Sequence, residues 1–111
     1  VISYDNAVKI NLLGVDAEVL AQQGAVSAPV AEQMALGVKQ RLQTDWGLSI
    51  TGVAGPGGGS PEKPVGLVYI GLATPDQTCH YVHTFGEFRP RDGIRHLSAS
   101  FALDHLRRAL L

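Results

Sequence analysis

Cysteine is almost missing from this chain of 111 residues, which contains only Cys79. A single thiol cannot form an internal disulfide, so the composition favours a cytoplasmic protein over a disulfide-stabilised secreted one. The sequence also lacks an apolar run near the ~18 residues that a membrane helix needs, and no signal peptide is recognisable. We therefore expect a cytoplasmic location and no membrane partner.

An excess of positive or negative charge is lacking too. The formal net charge is −1, and no run of Lys or Arg forms a stripe. Because nucleic-acid binders usually carry clustered positive charge, we expect no nucleic-acid partner. The spacing of Cys and His does not resemble a zinc site, so we also expect no metal and no cofactor.

Apolar residues are plentiful, at 45% of the chain against 17% charged, which is enough to bury the core of one small domain. The chain begins at Val1, without an initiator methionine, in a segment that resembles the end of a strand. We therefore expect residues 1–111 to be a single domain that lacks its N-terminal part.

The pattern of apolar and capping residues predicts the order strand, helices, three strands, helix. The predicted strands are Val1–Tyr4, Leu48–Val53, Val65–Ala73 and Thr78–Phe85. Short helices are expected after Asp5 or Asn6 and after Asp16, a long one after Ser27, and a last one from Pro90, with an apolar face of Ile94, Leu97, Phe101 and Leu106. Since the two middle strands are apolar on both sides, we predict an α/β fold, a three-layer α/β/α sandwich around a mixed sheet.

A glycine-rich segment, TGVAGPGGGS, follows the second predicted strand at 51–60. It is not a Walker A loop, because no Gly-Lys-Ser/Thr follows, and a strand comes next where a dinucleotide fingerprint needs a helix. Two interpretations stay open. The segment is a flexible connection, or it presents backbone N–H groups to an anion or oxyanion.

Tyr4 and Lys9 lie about one helical turn apart, so both side chains can point at one spot. A lysine in a low-dielectric cleft can lose its proton and act as a base, although a solvated lysine beside an edge tyrosine is the commoner arrangement. Arg91 and Arg95 begin the last helix, where cations oppose the helix dipole. They are either solvated or placed there to hold an anionic ligand.

The segments VISYDNAVK, TGVAGPGGGS and KPVGLVY resemble the "VVSYSNEAK", "TGIAGPGGGS" and "KPVGLVY" motifs of the CinA C-terminal domain family. The intervening Leu12–Val15 and Gly24–Ser27 follow in the expected order, so the resemblance covers essentially the whole chain. It implies an amidohydrolase, similar to bacterial nicotinamide mononucleotide deamidases, that uses a serine and no metal.

The resemblance also implies which residues form the site. Tyr4, Lys9 and Thr51 match active-site positions and are expected to be catalytic. The expected substrate-binding residues are Gly52, Gly55, Gly57, Gly58 and Arg91. The family's "AESCTGG" segment, with the candidate nucleophilic serine, would lie upstream of Val1, so we expect the isolated 111-residue chain to be inactive. The family's Gly-Asp-Arg before the last helix is replaced here by Arg89-Pro90-Arg91.

These matches imply hydrolysis of nicotinamide mononucleotide, the expected small-molecule partner, to nicotinate mononucleotide and ammonia. In that reaction Lys9 would be the base, Tyr4 would orient it or relay a proton, and Thr51 with the glycine loop would hold the substrate or the oxyanion. The alternatives are a non-catalytic nucleotide-binding or regulatory module, and a domain that dimerises its parent protein. We expect a homo-oligomer.

Overall fold

A computed structural model of the protein describes residues 1–86 and 88–111. The elements in chain order are α1 (Asn6–Asn11), α2 (Ala17–Gln23), α3 (Ala28–Leu42), β1 (Gly47–Gly52), β2 (Leu67–Ala73), β3 (Thr78–Thr84) and α4 (Arg91–Leu110). None of these helices is both long and apolar enough to cross a membrane.

The short helices begin at the capping residues that the sequence predicts. The Asp5 carboxylate accepts from the Ala7 N–H, and the Asp16 carboxylate accepts from the first-turn N–H groups of α2. Ser27 stands at the N-cap of α3, but its hydroxyl donates to the Gly24 carbonyl at 2.8 Å and does not cap the helix. The predicted position of this cap is therefore right, while its bonding differs.

The sheet has the order β1-β2-β3, and both pairings are antiparallel. The prediction of a mixed sheet is therefore wrong for the described strands. The connections give the reason: a turn at 74–77 joins β2 to β3, and a loop without a helix joins β1 to β2. A parallel pair would need a crossover, usually through a helix. The predicted strand at Val1–Tyr4 is also wrong, because this segment forms no ladder with a described strand.

Helices cover the two faces of the sheet, which confirms the α/β class and the three layers. On one face, α3 lies against β1 and β2, where the buried Ser49 hydroxyl donates to the Ala31 carbonyl at 2.6 Å. The approach is so close that a Cβ atom on Gly71 would lie 2.1 Å from the same carbonyl oxygen. On the other face, α4 packs Ile94 and Ala102 against β2.

The buried side of α4 differs from the predicted apolar stripe. Ile94, Ser98 and Ala102 are buried at four-residue spacing, whereas Phe101 is 39% exposed. Small residues at 98 and 102 let the helix lie close to the sheet on the same face as Ile94. A second core forms where α1 and α2 meet α3, with Leu13, Val15, Leu20, Val30 and Met34.

Candidate functional site

A cavity of about 520 Å³ lies beside β1, between the segment leading into α1, the start of α3 and the first turns of α4. It brings together five residues that the sequence assigns to a site: Tyr4, Lys9, Thr51, Gly52 and Arg91. These residues come from three separate parts of the chain, so the fold, not local sequence, assembles the cluster. Gly55, Gly57 and Gly58 are not among the residues that line it.

Lys9 is the buried charged residue of this cavity, with an exposed fraction of 6%. Its ammonium donates to the backbone carbonyl of Ser3, which fixes the end of the side chain. Desolvation lowers the pKa of Lys9, and the nearby Asp5 carboxylate opposes this in part by raising it. A lysine with a lowered pKa is more readily available as a base near neutral pH.

Thr51 lies near the end of β1 and is buried. Its hydroxyl donates to the Ala25 carbonyl at 2.7 Å, across the cavity wall. A hydroxyl has one proton to donate. Thr51 therefore holds the turn before α3 in place, and only its lone pairs remain for a ligand.

Arg91 connects α4 to the glycine-rich loop. Its Nη1 donates to the Gly55 carbonyl at 3.0 Å. Gly55 has φ +78°, a conformation that L side chains rarely adopt, so the loop can present this carbonyl only with glycine here. Through this bond the loop shapes the cavity from outside, and among the described residues the other nitrogens of Arg91 have no hydrogen-bond partner, so they can face a ligand.

Tyr4 lies in the segment before α1 and lines the mouth of the cavity with its side chain largely exposed, at 75% for the whole residue. An exposed phenol at the rim can reach a ligand from solvent. Tyr4 and Lys9 therefore line the same cavity, although Tyr4 is exposed and Lys9 is buried.

Positive charge dominates the lining. Arg95 joins Lys9 and Arg91, and no Asp or Glu of the described residues lines the cavity. Arg95 is bound only loosely, because its partner Asp92 is 3.9 Å away and almost fully exposed. The two guanidinium groups, with no acidic side chain among the described lining residues, create a potential that favours an anionic ligand.

Sequence reasoning missed several lining residues. Asn6, Ala25, Val26 and Ser98 belong to the cavity wall, and Arg95, whose position was noticed, was not assigned to a site. The side chains of Ala25 and Val26 carry no polar or reactive group from which a site could be predicted. Ser98 could have been found, since it lies one turn beyond Ile94 on the buried side of α4.

Metal-ligating side chains do not cluster in the cavity. Across residues 1–86 and 88–111, no group of three or more His, Cys, Asp or Glu side chains is close enough to hold an ion. The arrangement instead offers a desolvated amine, a phenol and two guanidinium groups. Such a set can bind an anionic molecule and move a proton at one end of it.

Comparison with known proteins gives one consistent family. The CinA C-terminal domain matches residues 1–110. CinA-like proteins of Cyanothece sp. and Synechocystis sp. are 70% and 62% identical over 111 residues, which is 100% and 99% of this chain. The chain spans about a quarter (27%) of the length of these curated relatives.

Solved structures agree with this comparison. The competence/damage inducible protein CihA from Agrobacterium tumefaciens superposes with a TM-score of 0.93 at 38% identity, covering 98% of this chain and 66% of that one. A competence-damaged protein (CinA) superfamily protein from Escherichia coli gives a TM-score of 0.90 at 31% identity, covering 98% and 62%.

Proposed function

Since this chain belongs to the CinA C-terminal domain family, we propose that the protein carrying it hydrolyses the carboxamide of nicotinamide mononucleotide. The products are nicotinate mononucleotide and ammonia. The observation that carries the proposal is the buried Lys9, whose pKa is lowered by desolvation inside a cavity lined by cations.

The ligand's charge fits the cavity. A nucleotide phosphate is an anion, and Arg91 and Arg95 stand together at the start of α4 beside the cavity. Arginine binds phosphate oxygens through paired N–H donors. With the phosphate at this end, the pyridine carboxamide extends toward Lys9 and Tyr4.

The reaction needs a nucleophile in addition to these groups. We propose that residues 1–111 form most of an amidohydrolase domain whose serine lies in the "AESCTGG" segment of the longer protein. The chain covers 66% of the Agrobacterium structure that it matches, which supports a domain larger than this chain.

The proton and bond changes then balance. The serine oxygen attacks the carboxamide carbon, and the Lys9 amine accepts the serine proton. The C–N bond breaks as that proton passes to the leaving nitrogen, which departs as ammonia. Water, deprotonated by Lys9, attacks the acyl-serine; the ester C–O bond breaks, Lys9 returns that proton to the serine oxygen, and nicotinate mononucleotide leaves. Tyr4 orients the amine or relays the proton, and N–H donors near Gly52 stabilise the oxyanion.

The test uses the full-length protein, with ammonia and nicotinate mononucleotide measured together after addition of nicotinamide mononucleotide. We expect equal amounts of both products and an unchanged rate after EDTA. The serine→Ala variant in "AESCTGG" and Lys9→Met should lose activity. Lys39→Met is the matched control, because the Lys39 ammonium also donates to a carbonyl, that of Thr74 at 2.7 Å, outside the cavity.

Two results would contradict the proposal. Absence of ammonia, together with tight binding of the nucleotide, would support a non-catalytic nucleotide-binding module. A rate that EDTA abolishes and added metal restores would require a different chemistry at this site.

A further inference from the structure

The turn at residues 23–26, which joins α2 to α3, supplies part of the cavity wall through Ala25 and Val26. Three consecutive backbone carbonyls of this turn each accept a side-chain donor: Gln23 from Lys63, Gly24 from Ser27 and Ala25 from Thr51. The turn has no helix or strand of its own between residues 24 and 27. The position of this wall therefore depends on the three side-chain bonds.

Lys63 is the donor that reaches the turn from the glycine-rich loop. Its ammonium binds the carbonyl of Gln23, which lies 40 residues earlier in the chain. Gln23 is the last residue of α2, where carbonyls have no partner within the helix and a cation is favoured by the helix dipole. The next residue, Gly24, has φ +80°, and a Cβ atom there would lie 2.7 Å from Nζ of Lys63. The ammonium thus occupies space that a side chain at position 24 would need.

The backbone of Lys63 is fixed by a tight turn within the loop. The N–H of Ser60 donates to the Lys63 carbonyl at 2.9 Å, and the N–H of Lys63 donates to the Ser60 hydroxyl at 3.1 Å. Lys63 is half-buried, so part of its side chain is already ordered by its surroundings. Because the residue is held at both ends, its ammonium forms the bond to Gln23 at a smaller cost in conformational entropy.

The loop that carries Lys63 connects two walls of the cavity. At its start, the Gly55 carbonyl accepts from Arg91 of α4, and near its end Lys63 binds the 23–26 turn. Lys63 itself does not line the cavity. The glycine-rich segment therefore does more than connect β1 to β2, because it ties the first turn of α4 and the 23–26 turn to one loop.

We infer that Lys63 is a positioning residue for nucleotide binding, which holds the 23–26 turn against the glycine-rich loop and so sets the place of Ala25 and Val26 in the cavity wall. The inference rests on the proposed function for the identity of the ligand. Since Lys63 acts through the turn, its loss should weaken binding and leave proton transfer at Lys9 unchanged.

The experiment measures Kd for nicotinamide mononucleotide by calorimetry in the full-length protein, with the serine of "AESCTGG" changed to Ala so that the ligand is not consumed. We expect Lys63→Met to raise Kd roughly three- to tenfold, which is the net contribution of one hydrogen bond expressed as a fold-change. Lys63→Arg should recover most of the affinity, because a guanidinium can donate to the same carbonyl. With the serine intact, Lys63→Met should raise KM by the same factor and keep the wild-type kcat.

Lys39→Met is the matched control, because its ammonium donates to the Thr74 carbonyl at 2.7 Å, outside the cavity. Its Kd should equal that of the parent protein. A double variant, Lys63→Met with Thr51→Val, should raise Kd by less than the product of the two single effects, since both changes loosen the same turn.

Hydrogen exchange adds a measurement that needs no ligand. The amides of Gly24, Ala25 and Val26 should exchange faster in Lys63→Met than in the parent protein, and at the parent rate in Lys39→Met. Unchanged exchange at these amides, an unchanged Kd, or equal Kd values in Lys63→Arg and Lys63→Met would overturn the inference. A wild-type protein that binds the nucleotide and releases no ammonia would contradict the proposed function alone, because Kd and exchange still decide the role of Lys63.

Discussion

The hydroxyl of Thr51 and the carbonyl of Ala25 form a 2.7 Å hydrogen bond that joins the end of β1 to the turn before α3. Both residues line the cavity. Because the hydroxyl proton is used in this bond, an oxyanion or substrate must find its donors elsewhere, among backbone N–H groups or the arginines. The structure thus favours Thr51 as a residue that positions the cavity wall.

Thr51→Val should damage both stability and substrate binding. The change keeps the shape of the side chain but leaves the Ala25 carbonyl without its donor, at a cost of roughly 1–3 kcal/mol in the free energy of unfolding. We expect KM for nicotinamide mononucleotide to rise about tenfold, since a displaced wall loosens the substrate. Urea unfolding and steady-state kinetics measure the two effects.

Ser49→Ala is the matched control for Thr51→Val. Ser49 donates from β1 to the Ala31 carbonyl at 2.6 Å and does not line the same cavity. It should lose comparable stability with an unchanged KM. If both variants have the same KM as wild type, the positioning role of Thr51 is wrong.

Lys9→Met should reduce kcat by roughly 10²- to 10⁴-fold, the usual contribution of a general base. Methionine keeps the apolar stem and removes an amine that the fold desolvates, so the melting temperature should change little. Measuring kcat and Tm on the same variant separates a catalytic role of Lys9 from a structural one. If the variant keeps kcat but has a much lower Tm, Lys9 is a structural residue and not the base.

The pH dependence of kcat/KM should report the same lysine. The folded pKa of Lys9 lies below its usual value of 10.5, and the base must be unprotonated to act. Activity should therefore rise with pH and level off above the lowered pKa, at a pH below 10.5. The residual activity of Lys9→Met should not show this rise with pH. A profile that still rises through pH 10.5 would mean that an ordinary lysine, or another group, is the base.

Arg91→Ala should weaken nucleotide binding by roughly 1.5–3 kcal/mol, the scale of a charge-assisted hydrogen bond. The loss should be smaller against nicotinamide riboside, which has no phosphate. Arg95→Ala should show the same preference, because its guanidinium is only loosely paired and lines the cavity. Isothermal titration of both ligands measures the difference.

Arg107→Ala is the control for the two arginines, since it lies on the same helix, pairs with Asp104 and does not line the cavity. Its affinity for either ligand should match wild type. Equal affinities of wild type and all three variants for both ligands would mean that Arg91 and Arg95 are solvated and do not bind the nucleotide.

Stability should fall as the solution is acidified below pH 6.5. The folded pKa of His105 is below its usual 6.5, so the unfolded chain binds more protons between the two values. The contribution of His105 is complete above pH 6.5 and is lost as pH falls through the folded pKa. Thermal unfolding between pH 5 and pH 8 should show a smaller slope for His105→Phe than for wild type. Identical slopes would contradict the lowered pKa.

The sequence was a good guide to local structure, because local structure depends on local signals. Asp5 and Asp16 are short side chains that accept from the next N–H groups, and the structure uses both as caps. The strand pairing was harder, because apolar residues on both faces do not distinguish parallel from antiparallel neighbours. The turn between β2 and β3 is too short for the crossover that a parallel pair needs, so its length indicates antiparallel pairing.

The candidate site could be predicted only in part, because its geometry depends on contacts between distant segments. The resemblance identified Tyr4, Lys9, Thr51, Gly52 and Arg91, and the fold brings these five to one cavity. Sequence alone could not show that Lys9 would be buried or that the hydroxyl of Thr51 would be bound, since both depend on segments distant in the chain. The hydrogen bond between His83 and His105 was missed for the same reason, as β3 and α4 meet only in the folded protein.

The order β1-β2-β3 has a consequence for how the protein is made. Each strand pairs with its neighbour in sequence, and the shortest connection joins β2 to β3. Closing a short loop costs less entropy than closing a long one, so we expect this hairpin to form first and β1 to add to it. During synthesis α4 leaves the ribosome after the three strands. Until it does, Val68 and Ile70 lack the cover of α4, and nascent chains stalled at this point are the ones that chaperones should bind.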